Sequence, residues 1–532
     1  MYDLIVRNGI IIDGTGGPGY IGNVAVKNGK IIMNPQETEA VHTIYADEKV
    51  VCPGFIDSHS HSDYTLGENN EICYEGKVSQ GITTEVVGQC GHSLFPINPQ
   101  RVSLHQGLFR SFLSDEQLGR FSDFTDFKAF LHYAKSVNKV QNYAFNVGHC
   151  TVRAAVMGTD NRKPTGAELD KMKELVSEAM EAGCFGLTSG LIYIPGTYCA
   201  TEELVELCKV IKPYGGVYAT HMRNESGRVV EAVKEAIEIA GQAEVPLVIS
   251  HHKACGKENW GKSKETLKVI REARKQGICI MQDQYPYTYS QTNLNVCIPP
   301  EYFVDGVDKL AERLKETSFR REVKKAMSQK QSAYTNMYQD SGGFDGVYVV
   351  MSAGLPEAEG KFVSEYAKET GKDPFDAYFD ILVANRGGAS AIYFSMNEED
   401  VERIYQDPYT AIGSDAITCS KLMPVHPRVY GSFTKPLAEF SRKKGLVSLE
   451  EAIRKQTSLP AKMWKLEGKG ILADGYDADL VIFDPKTVQD KADYKNSRAV
   501  SEGILQVVCN GEIVFEKGKF TGNTPGKCIT RR

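Results

Sequence analysis

Both ends of the chain show the short apolar runs and turn residues that are typical of β-hairpins. Such runs occupy residues 3–9, 23–32, 477–484 and 506–515. Two of them turn at an Asn-Gly pair, at Asn28 and at Asn510, and this pair between two strand-like runs predicts a hairpin. We therefore expect residues 1–52 and 468–532 to pair into one small β-sandwich domain.

The middle of the chain alternates strand-like runs with segments of helical spacing. The strand-like runs are residues 143–147, 184–188, 216–220 and 246–250, and the helical segments are residues 168–182, 201–211, 227–240 and 264–276. This repeat predicts an α/β fold, with a TIM-like (β/α)8 barrel over residues 53–467. A doubly wound parallel sheet fits the same pattern. The charged, helix-rich stretch at about 290–345 is predicted as a helical insertion.

The charge balance and the apolar pattern exclude two classes of partner. Lys and Arg total 62 and Asp and Glu total 68, for a net charge of −6, whereas nucleic-acid binders usually carry a basic excess. No basic segment with a long apolar run begins the chain, and no stretch approaches the roughly 18 apolar residues of a membrane span. We expect no nucleic-acid or membrane partner, and a cytoplasmic location with its 13 cysteines mostly reduced.

Two histidines in the segment Pro53-Gly-Phe-Ile-Asp-Ser-His-Ser-His form the first candidate for chemistry. His59 and His61 are two residues apart, so strand periodicity places them on one face, about 7 Å apart along the chain. Imidazole nitrogen is a good ligand for zinc and related ions. Two surface histidines after a strand explain the same motif.

Other predicted strand ends carry further residues that bind metals or transfer protons. These residues are Cys90, His221, the pair His251-His252, and Asp415. Each one alone is better explained as a buried or hydrogen-bonded core residue. In a (β/α)8 barrel, however, the carboxyl ends of the strands share the face on which the active site is built. Together these residues predict one metal-dependent catalytic site.

Longer motifs show a family resemblance over essentially the whole chain. They lie at residues 54–61, 81–91, 148–153, 156–158, 186–196, 220–225, 249–253, 285–288, 413–415, 426–431 and 475–481. With these motifs the chain resembles the amidohydrolase superfamily and, within it, the D-aminoacylase (N-acyl-D-amino-acid deacylase) family. The resemblance implies a (β/α)8 barrel with a small β-sandwich.

The resemblance also implies a ligand set and catalytic roles. One tightly held Zn²⁺ maps to Cys90, His221 and His251, with His251 preferred over His252 because it directly follows Ile249-Ser250. A second, weaker metal position maps to His59 and His61. Asp415 matches the family's catalytic acid–base, and Tyr193 matches a residue that helps to hold the carbonyl oxygen; a packed loop tyrosine remains the alternative for Tyr193.

A free carboxylate on the substrate is implied in the same way, and Lys253, Tyr285 and Ser290 match the family positions that bind it. The chain departs from the family at residues 431–435. Gly-Ser-Phe-Thr-Lys stands there instead of Gly-Thr-Phe-Pro-Arg, so that Lys435 replaces a guanidinium by a point charge. Either Lys435 binds the carboxylate less directionally, or the substrate differs from an ordinary N-acyl-D-amino acid.

Several functions remain open at this point. The first is zinc-dependent hydrolysis of the amide bond of an N-acyl-D-amino acid, a small molecule with a free carboxylate, to a carboxylate and a D-amino acid. The alternatives are a cyclic-amide hydrolase of the hydantoinase or dihydroorotase type and a dipeptidase for D-residues. An inactive barrel that serves as a binding protein is the alternative outside enzymes.

Overall fold

Strands occur along the whole chain, and a computed structural model describes residues 1–68, 70–329, 334–418 and 424–531. The strands are β1 Tyr2–Ile11, β2 Tyr20–Lys27, β3 Lys30–Met33, β4 Ala40–Tyr45, β5 Val50–Pro53, β6 Phe55–Asp57, β7 Ile82–Val87, β8 Asn142–Phe145, β9 Val147–Gly148, β10 Gly186–Gly190, β11 Val217–His221, β12 Leu247–Ile249, β13 Ile280–Gln284, β14 Ser290–Asn293, β15 Val347–Met351, β16 Ser390–Tyr393, β17 Thr410–Ile412, β18 Leu480–Phe483, β19 Ile504–Cys509, β20 Glu512–Glu516, β21 Lys519–Phe520 and β22 Cys528–Ile529.

Helices separate most of the central strands. The α-helices are α1 Glu71–Val78, α2 Val102–Phe109, α3 Asp115–Gly119, α4 Phe127–Ser136, α5 His149–Met157, α6 Gly166–Glu181, α7 Thr201–Ile211, α8 Val229–Ala243, α9 Ser263–Lys275, α10 Val307–Arg313, α11 Thr317–Met327, α12 Met337–Asp340, α13 Val363–Thr370, α14 Pro374–Ala384, α15 Glu398–Tyr405, α16 Arg428–Gly431, α17 Leu449–Arg454 and α18 Ser458–Trp464. A π-helix follows α16 at Pro436–Lys443. Within the described ranges, none of the helices has both the length and the apolar character needed to cross a membrane.

The two ends of the chain share one sheet. Its order is β21-β20-β19-β18-β5-β1-β2-β3, with β4 beside β1. The hairpins predicted at Asn28 and Asn510 are confirmed: Lys27 pairs with Lys30 and Cys509 with Glu512. Both asparagines adopt the left-handed backbone that such turns require, with φ of 53° and 49°. The boundaries at residues 52 and 468 stay predictions, and residue 532 lies outside the described residues.

The central strands pair in parallel and in sequence order. One sheet contains β6, β7 and β8, with β22 in parallel beside β8, and another contains β9, β10, β11, β12, β13 and β17. Only Asn146 separates β8 from β9. The backbone N–H of Ser58, just after β6, donates to the carbonyl oxygen of Ile412 in β17 at 3.4 Å. The predicted α/β class is therefore confirmed, and the polar residues that follow these strands lie at one end of them.

The predicted helical insertion also contributes a strand to a small sheet. Strand β14 pairs with β16, and β15 pairs with the other edge of β16, in a small antiparallel sheet. This sheet and helices α10, α11 and α14 share one apolar core. This small sheet spans Ser290 to Tyr393 because β14 pairs with β16 over a long range, and the insertion limits near 290 and 345 stay predictions. Residues 330–333, inside the predicted insertion, lie outside the described residues.

The buried ammonium group of Lys77 connects β6 and β7 with the segment that follows β17. Lys77 Nζ lies 2.6 Å from Asp57 Oδ2 and 2.9 Å from Glu85 Oε2. It also donates to Ser414 Oγ at 2.9 Å. All four side chains are buried. Since an unpaired buried carboxylate is costly, this ammonium stabilises the arrangement of β6, β7 and the segment after β17.

We expect the substitution Lys77→Met to lower the free energy of unfolding by about 3–5 kcal/mol, because two carboxylates would stay buried without their cation. Denaturant-induced unfolding followed by tryptophan fluorescence would measure this loss. The matched control is Lys171→Met. Lys171 pairs with Glu174 at 2.9 Å on the surface, where an ion pair contributes about 0–1 kcal/mol. Equal unfolding midpoints for the two variants would contradict the structural role of Lys77.

Candidate metal centre and active site

The thiol of Cys90 lies at the centre of a histidine cluster. Its Sγ is 3.3 Å from His59 Nε2, 3.3 Å from His251 Nε2 and 3.8 Å from His221 Nδ1. All four side chains are buried. Zinc–sulfur and zinc–nitrogen bonds of about 2.3 and 2.0–2.1 Å at a tetrahedral angle place sulfur and nitrogen about 3.5 Å apart. The spacing and the donor types of this cluster therefore fit a zinc ion.

A carboxylate lies beside this cluster. Asp415 Oδ1 is 3.2 Å from His61 Nε2 and 3.5 Å from His59 Nε2. Its other oxygen, Oδ2, accepts a hydrogen bond of 2.7 Å from the guanidinium of Arg428. Burial raises the pKa of Asp415, but the positive charge of Arg428 and the hydrogen bond with His61 outweigh burial and hold this pKa well below its usual range. The carboxylate is therefore ionised at neutral pH.

Three residues of the site adopt a left-handed backbone. Cys90, His251 and Asp415 have φ values of 54°, 34° and 50°. This conformation is uncommon outside glycine and asparagine, and it costs free energy that the surrounding structure must offset. Each of the three residues follows a parallel strand. The sharp change in backbone direction brings their side chains to a common point.

Two further carboxylates contact the histidines. Asp283 Oδ1 is 3.3 Å from His59 Nδ1 and accepts the backbone N–H of His251 at 2.7 Å. Glu225 contacts His251 Nδ1 at 3.0 Å and His221 Nε2 at 3.4 Å. Our sequence analysis did not assign either residue a role. The sequence did contain a signal for Asp283, because this residue lies near the carboxyl end of β13, as the predicted site residues do on their own strands. Glu225 lies four residues after His221, in the loop between β11 and α8, where no strand pattern marks it.

The structure separates the adjacent histidines 251 and 252. His251 faces Cys90, whereas His252 points to the opposite side of the strand. There the ring nitrogens of His252 contact Gln282 Oε1 at 2.8 Å and Thr266 Oγ1 at 2.9 Å. With both nitrogens engaged by core residues, His252 lies outside the cluster.

The other predicted site residues fall into two groups. Tyr193 and Lys253 lie at the cluster: the Tyr193 ring is centred 5.0 Å from that of His221, and Lys253 Nζ is 2.6 Å from His251 Nδ1. Tyr285 and Ser290 are buried nearby. Among the described residues, the Tyr285 hydroxyl and Ser290 Oγ have no hydrogen-bond partner.

Lys435 is not brought to the cluster. Its Nζ lies 4.5 Å from the centre of the Tyr287 ring, just before the π-helix, and the side chain is outside the cavities that adjoin the cluster. The cation that contacts Asp415 is Arg428, which belongs to the motif at 426–431 and has no role predicted from the sequence. Arg428 begins the short helix α16 and does not follow a strand, so the strand pattern gives no signal for it and only packing reveals its contact.

Two neighbouring cavities lie beside the cluster. The smaller one is lined by His61, Cys90, Asp415 and Arg428, among others. The larger one has a volume of about 640 Å³. Both cavities are lined in part by Tyr193. A volume of this size accommodates a small molecule, and the smaller cavity beside it borders the thiol, the His61 imidazole and the carboxylate.

The chain is similar to known amidohydrolases. A model described as "Amidohydrolase family" matches residues 300–515. D-aminoacylase of Alcaligenes xylosoxydans xylosoxydans is 35% identical, with 100% of this chain and 98% of that protein covered. N-acyl-D-aspartate deacylase of the same organism is 35% identical, with 99% and 95% covered.

The fold agrees with these relatives. The crystal structure of N-acyl-D-glutamate deacylase from Bordetella bronchiseptica, complexed with zinc and a phosphonate inhibitor, matches with a TM-score of 0.83 and 32% identity, and 100% of both chains is covered. The match shows an amidohydrolase fold, and it agrees with the resemblance that the motifs indicated. The chain therefore belongs to the D-aminoacylase (N-acyl-D-amino-acid deacylase) family of the amidohydrolases.

Proposed function

We propose that this chain is a zinc-dependent hydrolase that cleaves the amide bond of an N-acyl-D-amino acid and releases a carboxylate and a D-amino acid. The observation that carries the proposal is the ionised carboxylate of Asp415 beside the cluster around Cys90. The preference for D-substrates is supported by the names of the relatives, D-aminoacylase and N-acyl-D-aspartate deacylase.

Cys90, His221 and His251 would hold the tight zinc ion, and His59 and His61 the weaker second one. Zinc bound there would supply Lewis-acid chemistry for polarising the scissile carbonyl and activating water. Support comes from the distances of Cys90 Sγ to His251 Nε2 and His221 Nδ1, 3.3 and 3.8 Å, which are close to the sulfur–nitrogen separation of about 3.5 Å between two ligands of one zinc ion.

Asp415 acts as the general base and then as the general acid. It accepts a proton from the attacking water and returns it to the nitrogen of the departing amine, which needs this proton to leave. Arg428 holds Oδ2 at 2.7 Å, so that Oδ1 faces His61 and the cluster. The carboxylate is therefore oriented before the substrate binds.

Tyr193 stabilises the negative charge that develops on the carbonyl oxygen. Burial raises the pKa of its phenol well above the usual value, so the hydroxyl stays protonated and can donate. Its hydroxyl lies 2.9 Å from Thr292 Oγ1, which holds the ring at the wall between the two cavities.

The substrate carboxylate binds among Lys253, Tyr285, Ser290 and Arg428. The hydroxyls of Tyr285 and Ser290 and the Nε of Arg428 are buried. Within the described part of the chain, none of these three atoms has a hydrogen-bond partner. Buried polar groups are nearly always hydrogen-bonded, so these atoms are well suited to receive a ligand. Because Lys435 lies against Tyr287, we propose no contact between Lys435 and the substrate.

The parallel strands close into a (β/α)8 barrel in this proposal. The sequential pairing of β6 to β8 and of β9 to β13 and β17 supports closure, and so does the hydrogen bond from Ser58 to Ile412. In such a barrel the residues after each strand share the catalytic face. Residues 53–467 would form this domain, and the β-sandwich would contain residues 1–52 and 468–532.

We expect amine release from N-acetyl-D-amino acids and none from the L-enantiomers, in line with the D-substrates that the names of the relatives give. A series of D- and L-pairs with neutral and acidic side chains, assayed with and without a chelator, would measure both properties. Chelation should abolish release. Equal rates for the two enantiomers would contradict the proposed substrate class.

The substitution Asp415→Asn should lower kcat by about 10²–10⁴-fold while the bound zinc is unchanged, because an amide cannot transfer the proton. Steady-state kinetics and metal analysis of the purified variant would show this. The control is Asp345→Asn at an exposed position. An Asp415→Asn enzyme with kcat near that of the control would exclude Asp415 as the proton-transfer group.

Replacement of the two adjacent histidines should have opposite results. His251→Ala should lose the tight zinc because one ligand is removed, whereas His252→Ala should keep it, since the two ring nitrogens of His252 are hydrogen-bonded to Gln282 and Thr266. Zinc per chain after dialysis against a weak chelator is the measurement. Retention of stoichiometric zinc by His251→Ala would refute the ligand assignment.

A further inference from the structure

We propose that His426 is a positioning residue for the site that binds the substrate carboxylate. Its imidazole joins the backbone of Arg428 to the backbone just before Ser290, so that these two residues keep a fixed separation. The inference rests on the proposed function, because Arg428 and Ser290 are two of the groups proposed to bind that carboxylate. His426 thereby sets how well the enzyme distinguishes a substrate with a free carboxylate from one without it.

The two ring nitrogens of His426 contact two segments that are far apart in the chain. Nδ1 accepts the backbone N–H of Arg428 at 3.0 Å, and Nε2 lies 2.9 Å from the backbone carbonyl oxygen of Tyr289. A backbone N–H only donates and a carbonyl oxygen only accepts, so Nδ1 is the acceptor and Nε2 is the donor. Burial and the positive charge of Arg428 hold the pKa of His426 well below its usual value, which agrees with a neutral ring.

The carbonyl groups on both sides of Ser290 are held by this one segment. His426 donates to the carbonyl oxygen of Tyr289, and the guanidinium of Arg428 donates to the carbonyl oxygen of Gln291 at 3.2 Å. Gln291 and Arg428 both line the smaller cavity beside the cluster. The first residues of β14 are therefore fixed relative to the guanidinium that faces this cavity.

Aromatic rings surround His426 and limit its rotation. Its ring centre lies 4.8 Å from that of Tyr289 and 5.5 Å from that of Tyr287. The ring of Tyr285 is centred 6.1 Å away, and the guanidinium of Arg428 lies 4.9 Å from the centre of that same ring. Since the imidazole is buried among these side chains, its two hydrogen bonds keep a defined direction.

A histidine that serves only the stability of the core is the competing interpretation. It predicts that replacement of His426 lowers the stability of the protein and slows all substrates together. The buried atoms nearby favour a positioning role instead. Among the described residues, Ser290 Oγ and Arg428 Nε have no hydrogen-bond partner, although the backbone on which each is carried is held by His426. Polar atoms arranged in this way are free to receive a ligand.

The test uses two substitutions that each keep one of the two hydrogen bonds. In His426→Asn, the side-chain oxygen can accept the N–H of Arg428, as asparagine does for the residue two positions later, but the side chain is too short to reach Tyr289. In His426→Gln, the longer amide can donate to the carbonyl of Tyr289, but no acceptor remains at the position of Nδ1.

The substrates are an N-acetyl-D-amino acid and its carboxamide, which lacks the negative charge. kcat and KM are measured for both, and a carboxamide that is not hydrolysed is measured as an inhibitor. Zinc content and thermal unfolding are recorded for each variant. The matched control is His149→Gln, because His149 is also buried and contacts Glu203 at 2.8 Å, and it is not among the residues that line the two cavities.

We expect KM for the acid substrate to rise by about 10-fold in each His426 variant, the equivalent of one misplaced hydrogen bond to a charged group. The constants for the carboxamide and the zinc content should stay near those of the unmodified protein. In His426→Asn, kcat should also be retained, because the hydrogen bond to Arg428 is kept. The control should show the same preference for acid over carboxamide as the unmodified protein.

An unchanged preference for the acid in both His426 variants would overturn the inference. Failure of both variants to fold or to bind zinc would also overturn it, because His426 would then be a core residue. These outcomes differ from a failure of the proposed function, in which the unmodified protein itself would release no amine from N-acetyl-D-amino acids.

Discussion

The buried ammonium of Lys77 holds together the segments on which the catalytic site is built. It contacts Asp57 and Glu85 at 2.6 and 2.9 Å and Ser414 at 2.9 Å. Asp57 lies two residues before His59, and Ser414 directly precedes Asp415. Because removal of one partner from a buried ion pair leaves an uncompensated charge, these segments keep their spacing. The distance between the histidines and Asp415 therefore depends on an interaction that lies behind the site.

The residues of the site form an inner and an outer shell, and contacts between charged and polar groups join the two shells. The inner shell consists of the Cys90 thiol, the imidazoles and Asp415. Outside it, Asp283 accepts from His59, Glu225 lies within 3.4 Å of two histidine rings, and Arg428 holds Asp415 in its ionised form. Each buried charge is paired, as the cost of burying an isolated ion requires. The outer shell thereby decides which nitrogen or oxygen of each inner residue faces the cavity.

Close backbone packing completes the arrangement around Cys90. A Cβ atom at Gly190 would lie 2.1 Å from the carbonyl oxygen of Cys90, and a Cβ atom at Gly91 would lie 2.8 Å from the sulfur of Cys150. Only glycine permits these approaches. Cys90 can therefore adopt its left-handed backbone, with φ of 54°, and point its thiol at three imidazoles.

The sequence by itself determined the α/β class, the hairpins at Asn28 and Asn510, and the membership of the D-aminoacylase family, because each is encoded by local periodicity or by continuous motifs. It also predicted the strand-end residues, from Cys90 to Asp415, which lie together in the structure. Only the tertiary structure decided that His251 rather than His252 faces Cys90, that Arg428 contacts Asp415 while Lys435 lies against Tyr287, and that Glu225 lies within 3.4 Å of two histidines. These facts depend on side-chain direction and on contacts between residues far apart in the chain, and no local pattern encodes them.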